Sequence, residues 1–241
     1  PTLAGTDDRT LALAHNGNII NSAEMLDRLT EMLDGDVSRA AGELGRGSTT
    51  DTAILSALLA TGEGSVIDRA MRVLPTVRGA FSLVFLDENR LYAARDPQGV
   101  RPLVIGRLSR GWVVASETAA LDIVGASYVR EVAPGELIAI DEDGIDTRSF
   151  AEPSPKGCVF EYVYLARPDT RIAGREVYDA RVDMGRALAR RHPVEADMVM
   201  PVPESGVPSA IGYAEESGIP YGLGLVKNSY VGRTFISPTQ T

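Results

Sequence analysis

This chain of 241 residues has one cysteine and no long apolar run, which excludes an internal disulfide and a membrane-spanning segment within it. The single cysteine, Cys158, cannot form an internal disulfide, which fits a reducing compartment. No apolar run approaches the roughly 20 residues that cross a bilayer. Residues 1–8 lack the basic and apolar regions of a signal peptide. We therefore expect a cytoplasmic protein.

The chain also has few basic residues: it contains 24 lysines and arginines and 33 acidic residues, which gives a net charge of -9. Binding along a nucleic-acid backbone needs basic surface that releases counterions, so this composition argues against it. Any phosphate ligand would have to be held locally. A hydrophobic content of 44% and a charged content of 24% are ordinary for a globular protein and exclude disorder.

The first part of the chain alternates apolar segments with turn signals. Helical patterns cover Ser22–Leu33 and Thr50–Leu59. The predicted strands are 11–14, 80–86, 90–94, 103–105, 111–116 and 136–140. An antiparallel sheet with segregated helices predicts a layered α+β domain.

Proline, serine and glycine collect over residues 151–157, and the pattern changes after them. We predict one domain over residues 1–152 and a second over residues 153–241. The second contains predicted helices at 177–191 and 209–217 and predicted strands at 197–202 and 220–227. Alternating helices and strands predict a parallel α/β sheet.

His15-Asn-Gly-Asn18 closes a predicted strand and is the first motif with chemical content. At a turn, the carboxamide of Asn16 and the N–H of Gly17 could stabilise the oxyanion of amide hydrolysis. Asn-Gly is also among the commonest signals of a plain hairpin turn, and on this motif alone the plain turn is favoured. Asp51 either caps a helix or binds a substrate ammonium group. The residues alone leave these alternatives open.

A second group of residues has the character of a pyrophosphate site. Loop residues Glu204 and Gly206 could bind phosphate through backbone N–H groups, and the Ser205 hydroxyl could bind a hydrated Mg²⁺. Lys227 and Arg233 could close over the departing pyrophosphate and neutralise its charge. The alternatives are a strand-to-helix turn for the first segment and a solvated loop for the second.

Four ordered segments in the first domain carry a family resemblance: residues 15–21, 49–52, 79–83 and 95–103. Together they resemble the class II glutamine amidotransferase domain of the N-terminal nucleophile hydrolases. The resemblance implies an αββα sandwich, with Asn16 and Gly17 as the oxyanion hole and Asp51 holding the α-amino group of glutamine. We expect structural ion pairs that frame the sheet at Arg95, Asp96 and Arg101.

The chain departs from that family at the nucleophile. The family uses an N-terminal cysteine, whereas residue 1 is Pro1 and the single cysteine lies beyond the predicted linker. We expect the sequence to begin inside the domain, with the nucleophile and the arginine for the glutamine carboxylate upstream of Pro1. Glutamine hydrolysis is then expected to be absent from these residues alone.

With residues 158–169 and 178–185 added, nearly the whole chain resembles the glutamine phosphoribosylpyrophosphate amidotransferases. The resemblance implies formation of 5-phosphoribosylamine at the entry to purine synthesis, with Mg²⁺ at Ser205 and purine nucleotides as feedback inhibitors. It also implies a homotetramer. Cys158 matches a ligand of the [4Fe-4S] cluster in one branch of the family, and a buried inert thiol is the alternative. The rest of the phosphoribosyl-binding residues are expected after Thr241.

Two further interpretations stay open. One is another glutamine-dependent sugar-phosphate amidotransferase, against which the segments after Cys158 count. The other is a catalytically silent regulatory or binding module that keeps the fold without the nucleophile.

Overall fold

The computed structural model describes residues 2–6, 9–40 and 44–230. The chain divides into two compact units, Pro1–Cys158 and Val159–Thr241, whereas sequence analysis places the division between residues 152 and 153. In the described ranges, no helix is both long enough and apolar enough to cross a membrane.

Nine strands and four α-helices build the described part of the first unit. The strands are β1 (Thr2–Thr6), β2 (Arg9–Ile19), β3 (Gly79–Leu86), β4 (Leu91–Arg95), β5 (Val104–Arg107), β6 (Trp112–Ala115), β7 (Ser127–Glu131), β8 (Glu136–Asp141) and β9 (Gly144–Ser149). The helices are α1 (Ser22–Met32), α2 (Asp51–Ala60), α3 (Val66–Val73) and α4 (Thr118–Ile123). One antiparallel sheet has the order β1-β2-β3-β4-β8-β9, and a second has the order β6-β5-β7.

Helix α2 lies at the centre of the main hydrophobic core. All eight of its residues from Ala53 to Ala60 are buried. A helix that is apolar on every side needs cover on every side. Leu13 of β2 and Phe85 of β3 pack in the same buried cluster, on the helix-facing side of the six-stranded sheet.

The opposite face of the six-stranded sheet packs on the three-stranded sheet. Ala93 and Ile138 from the large sheet join Ile105 of β5 in a second buried cluster. Val104, the neighbour of Ile105, points the other way and packs with Leu121 of α4. This alternation along β5 follows from the two-residue period of a strand. The layers are therefore helix, sheet, sheet, helix, which is the predicted αββα arrangement.

The predicted turn at the His15–Asn18 motif is wrong. Strand β2 continues through Asn16 and Gly17 to Ile19 and pairs with β3 along this whole stretch. Gly17 has φ +154°, and a Cβ built on it would lie 2.0 Å from the carbonyl oxygen of Ala80. The Asn-Gly pair therefore serves a close approach between two strands, a use that only glycine permits.

In the second unit, α5 (Val177–Arg191) and α6 (Val207–Ser217) pack closely together. A Cβ on Gly185 would lie 2.0 Å from the Ser209 carbonyl oxygen, and one on Gly212 would lie 2.0 Å from that of Val182. The two helices thus meet backbone to backbone. The unit also contains a π-helical turn, Glu161–Leu165, and a short hairpin of β10 (Arg171–Ile172) and β11 (Arg175–Glu176).

The prediction of two strands in the second unit is wrong. In the described residues, segments 197–202 and 220–227 share one isolated parallel bridge, Val199 to Tyr221. The apolar side chains of Met198, Met200 and Leu223 are exposed. A two-stranded pairing without an apolar cover is marginal, so these segments stay mostly irregular.

Removing side-chain volume inside α2 tests the importance of this core. Leu55 is fully buried, and Leu55→Ala is expected to lower the free energy of unfolding by about 2–5 kcal/mol through lost burial and a residual cavity. Leu86→Ala makes the same chemical change at a half-exposed position of β3 and is expected to cost under about 1 kcal/mol. Urea unfolding measures both, and equal costs would contradict the placement of α2.

Candidate functional site

The end of β2 and the start of α2 meet through one carboxylate. Asp51 Oδ2 accepts a hydrogen bond from the Ile19 backbone N–H at 3.1 Å. Asp51 Oδ1 accepts from the Thr52 backbone N–H at 2.7 Å. The Asp51 side chain is 25% exposed, so the anchored carboxylate can still receive a ligand. Thr50, by contrast, is the capping residue, since its hydroxyl accepts from the Ala53 N–H at 3.2 Å.

Asn16 and Gly17 lie on the same stretch of β2, shortly before Ile19, and both are exposed. The Asn16 carboxamide donates to the Ser116 hydroxyl at 3.4 Å, a long and therefore weak hydrogen bond. The structure thus places the predicted Asn16 and Gly17 on the same strand end as Ile19, whose N–H anchors the predicted Asp51. Sequence analysis missed Ser116, because nothing local connects positions 100 residues apart.

His15 lies beside this group with its side chain only 3% exposed. Its Nδ1 is 3.2 Å from Thr52 Oγ1 and 3.9 Å from Asp51 Oδ2. Burial lowers the pKa of His15, while the Asp51 charge and the Ala80 carbonyl oppose that shift. The ring is therefore neutral at neutral pH. Sequence analysis gave His15 no role, although it follows the buried Leu11 and Leu13 at two-residue spacing, which predicts an inward-facing side chain.

Arg95 and Asp96 have structural surroundings. The buried Arg95 guanidinium pairs with Glu131 at 3.1 Å and also donates to backbone carbonyls. Asp96 accepts from backbone N–H groups, including those of Phe81 and Gln98. Burial raises the pKa of Asp96, and these N–H donors oppose the shift. The expected ion pair is present at Arg95, whereas Asp96 chiefly organises backbone.

Arg101 contributes its backbone to the same region. Its carbonyl oxygen accepts hydrogen bonds from Arg95 Nε at 2.8 Å and from Ser82 Oγ at 3.1 Å. These bonds fix the loop that follows β4 against the six-stranded sheet.

In the second unit, the predicted phosphate-binding residues occupy the loop before α6. Gly206 is the N-cap of α6, and a Cβ on it would lie 2.9 Å from the Val202 carbonyl oxygen, so the position needs a small residue. Lys227 Nζ lies 3.5 Å from Glu204 Oε2, and both side chains are exposed. Two predicted ligands are thus neighbours although they are 23 positions apart. Arg233 lies outside the described residues.

Metal-ligating residues do not cluster in the described ranges, where no group of three or more His, Cys, Asp or Glu could hold an ion. Ser205 is partly buried in the loop before α6, and Cys158 is half-buried at the end of the first unit.

Comparison with known proteins identifies the class that the αββα fold and this site define. Residues 1–123 match the family described as a glutamine amidotransferase domain, and the chain belongs to that family.

Particular relatives extend the likeness to the whole chain. An amidophosphoribosyltransferase of Mycobacterium tuberculosis (strain ATCC 25618 / H37Rv) is 62% identical over 242 residues, which is 100% of this chain and 44% of the relative. An amidophosphoribosyltransferase of Bacillus subtilis (strain 168) is 42% identical, over 96% of this chain and 47% of the relative. The chain therefore spans about half the length of these curated relatives.

A solved structure from Bacillus subtilis also superposes well. It is a glutamine phosphoribosylpyrophosphate amidotransferase complexed with ADP and GMP, with a TM-score of 0.85 and 40% identity. The match covers 100% of this chain and 51% of that chain.

Substituting Gly17 tests the contact between β2 and β3. Gly17→Ala would place Cβ 2.0 Å from the Ala80 oxygen and is expected to cost at least about 2 kcal/mol of unfolding free energy. Gly144→Ala is a matched control, because Gly144 has φ +134° but no atom within 4 Å, and it should cost about 1 kcal/mol. Thermal unfolding compares them, and a smaller loss at Gly17 than at Gly144 would refute the close approach.

Proposed function

We propose that the protein is a glutamine-dependent amidophosphoribosyltransferase. It would convert phosphoribosylpyrophosphate, glutamine and water to 5-phosphoribosylamine, pyrophosphate and glutamate, at the entry to purine biosynthesis. The observation that carries the proposal is the anchoring of Asp51 to Ile19 beside Asn16 and Gly17. The names of the relatives, which match 96–100% of this chain, support the same activity.

In the glutamine half-reaction, the exposed edge of the Asp51 carboxylate would bind the α-ammonium group of glutamine. The Asn16 carboxamide and the Gly17 N–H would donate to the oxyanion of the tetrahedral intermediate, where each donor typically contributes about 3 kcal/mol. Because the Asn16–Ser116 hydrogen bond is long, exchanging it for the oxyanion costs little. This step also needs the cysteine nucleophile that the family resemblance predicts upstream of Pro1.

In the phosphoribosyl half-reaction, the loop of Glu204, Ser205 and Gly206 would receive the pyrophosphate at the N-terminus of α6. The dipole of α6 favours an anion there, although the Gly206 and Val207 N–H groups already donate to the Val202 and Glu204 carbonyls and Pro208 has no N–H. Lys227 pairs weakly with Glu204, and an incoming pyrophosphate would attract the ammonium group more strongly than one exposed carboxylate. Arg233 is proposed to add a second cation. The second unit would accordingly be the first part of a phosphoribosyltransferase domain.

Mg²⁺ fits the residues present as a cofactor of this site. It keeps most of its waters and takes few protein oxygens, so one hydroxyl beside a bound pyrophosphate is a suitable ligand set. The Ser205 hydroxyl would hold it, and the ion would neutralise pyrophosphate charge. A [4Fe-4S] cluster does not fit this chain by itself, because four thiolates are needed and Cys158 is the single cysteine. We assign no step to a cluster.

Regulation and assembly are part of the proposal. The Bacillus subtilis structure is described as a complex with ADP and GMP, which supports purine nucleotides as feedback inhibitors of this protein too. A homotetramer and a cytoplasmic location remain predictions from the sequence. The alternative of a silent module is discriminated by the assays that follow.

Replacing Asn16 separates the two half-reactions in the protein expressed from its complete gene. Asn16→Ala removes one oxyanion donor and is expected to lower glutamine-dependent kcat by about 10²–10³, while activity with free ammonia is kept. Asn89→Ala is the matched control, since Asn89 is exposed in the β3–β4 turn. Equal loss with glutamine and ammonia would contradict the oxyanion role, and a wild-type protein inactive with both would favour the silent module.

Neutralising Lys227 tests the phosphoribosyl site. Lys227→Gln is expected to raise the KM for phosphoribosylpyrophosphate about tenfold or more, the effect of losing one charge-assisted hydrogen bond. Glutaminase activity should be unchanged. The control is Lys156→Gln, because Lys156 is exposed in the first unit and is the chain's other lysine. An unchanged KM at Lys227 would count against the assignment.

A further inference from the structure

His15 is a buried polar residue to which the proposed function gives no part. Its side chain continues the inward-facing row of the buried Leu11 and Leu13 on β2. A buried polar side chain costs stability unless its hydrogen bonds compensate for the lost water. The contacts of the imidazole therefore indicate what it does.

On one side, the ring reaches the carboxylate of Asp51 through a hydroxyl. His15 Nδ1 lies 3.2 Å from Thr52 Oγ1, and Thr52 Oγ1 lies 3.2 Å from Asp51 Oδ1. A carboxylate oxygen only accepts, so the hydroxyl hydrogen belongs to the bond with Asp51. The first bond then needs the hydrogen on Nδ1, whereas a ring protonated on Nε2, toward the Ala80 carbonyl, would instead accept from the Thr52 hydroxyl. The relay runs from His15 through Thr52 to Asp51.

On the other side, the ring lies directly against Gly17. A Cβ built on Gly17 would be 2.9 Å from His15 Nε2 and 2.0 Å from the Ala80 carbonyl oxygen. The imidazole edge and the Ala80 carbonyl therefore both crowd the Cβ side of Gly17 and restrain its backbone there. A smaller side chain at position 15 would remove one of these two restraints.

We propose that His15 is a positioning residue that holds both the carboxylate of Asp51 and the backbone of Gly17 in place for glutamine. It acts through the Thr52 hydroxyl on one side and by packing on the other, without touching the substrate. This inference rests on the proposed glutamine amidotransferase function and deepens it, since one side chain would couple substrate binding to oxyanion stabilisation. A neutral imidazole suits the role because it carries one N–H to give and adds no charge to the site.

Three single variants of the protein from the complete gene separate the two restraints. Thr52→Val breaks the relay and keeps the ring, so the KM for glutamine should rise about tenfold, as for loss of a hydrogen bond to a charged group, with kcat kept. His15→Asn retains a donor near Nδ1 but removes the ring edge, so glutamine-dependent kcat should fall with KM kept. His15→Gln places its amide near the position of Nε2, so it should alter both the KM for glutamine and kcat.

Matched controls accompany these variants. Thr52→Ser keeps the hydroxyl and should restore the wild-type KM. Combining His15→Gln with Thr52→Val should raise KM no further than the larger single effect, because both changes break the same relay. Ammonia-dependent activity should be unchanged in every variant. Parallel losses with glutamine and ammonia, or wild-type KM and kcat in all variants, would overturn the proposal.

A measurement that needs no activity tests the relay itself. In the protein from the complete gene, ¹⁵N NMR can follow the imidazole nitrogens of His15 and of the exposed His192, each assigned by the signals that disappear when that histidine is replaced. The proposal predicts a neutral, Nδ1-protonated ring for His15 at neutral pH. Thr52→Val should shift the His15 signals and leave those of His192 unchanged. An Nε2-protonated ring, or His15 signals insensitive to Thr52→Val, would refute the relay.

The two experiments keep the proposals distinguishable. A wild-type protein that uses ammonia but never glutamine would overturn the proposed function, and the NMR result would still decide the relay. A wild-type protein that uses glutamine, with unaffected variants at positions 15 and 52, would overturn the role of His15 and leave the proposed function standing.

Discussion

The hydrogen bond from the Ile19 N–H to the Asp51 carboxylate is the constraint on which the site depends. It joins the last residue of β2 to the first residue of α2, two elements separated by 32 positions in the sequence. Because α2 is buried along almost its whole length, its N-terminus cannot move without disturbing the core. The position of the carboxylate is therefore set by packing. A site built on rigid elements holds its geometry better than one built on loops.

The proposed oxyanion donors share this rigidity. Asn16 and Gly17 lie inside a paired strand, and the Ala80 carbonyl fills the space that a side chain at position 17 would need. Such a close approach limits how far the Gly17 backbone can shift. Donors that are already oriented require little reorganisation when negative charge develops, which is the main source of their effect. The fold thus pre-forms the arrangement of the residues that are proposed to bind glutamine.

Local sequence patterns predicted the elements whose determinants are local. The bounds of α5 follow from its amphipathic pattern, and α2 follows from a capping threonine before an apolar run. The turn at Asn16 failed, because the Asn-Gly signal is local while the pairing with β3 is not. The strands at 197–202 and 220–227 failed because an apolar segment becomes a strand only where neighbours pair with it and cover it.

The site residues, like the helices and strands, were predictable from the sequence only where the signal is local. The resemblance to known motifs selected Asn16, Gly17 and Asp51, and the structure places them together. The contacts of His15 with Thr52 and of Asn16 with Ser116 join residues 37 and 100 positions apart. No spacing rule reaches across such distances, so only the three-dimensional arrangement shows them. For His15, the local signal was the two-residue alternation along β2, which turns its side chain inward like those of Leu11 and Leu13.

One polypeptide is proposed to take nitrogen from glutamine and to place it on a phosphorylated sugar. Isotope transfer tests this most directly, using the protein from its complete gene with [amide-¹⁵N]glutamine, phosphoribosylpyrophosphate and excess unlabelled ammonia. Mass spectrometry of the trapped product should show ¹⁵N in 5-phosphoribosylamine, together with labelled-amide consumption and glutamate formation. Product that carries only unlabelled nitrogen, or no product at all, would contradict the account.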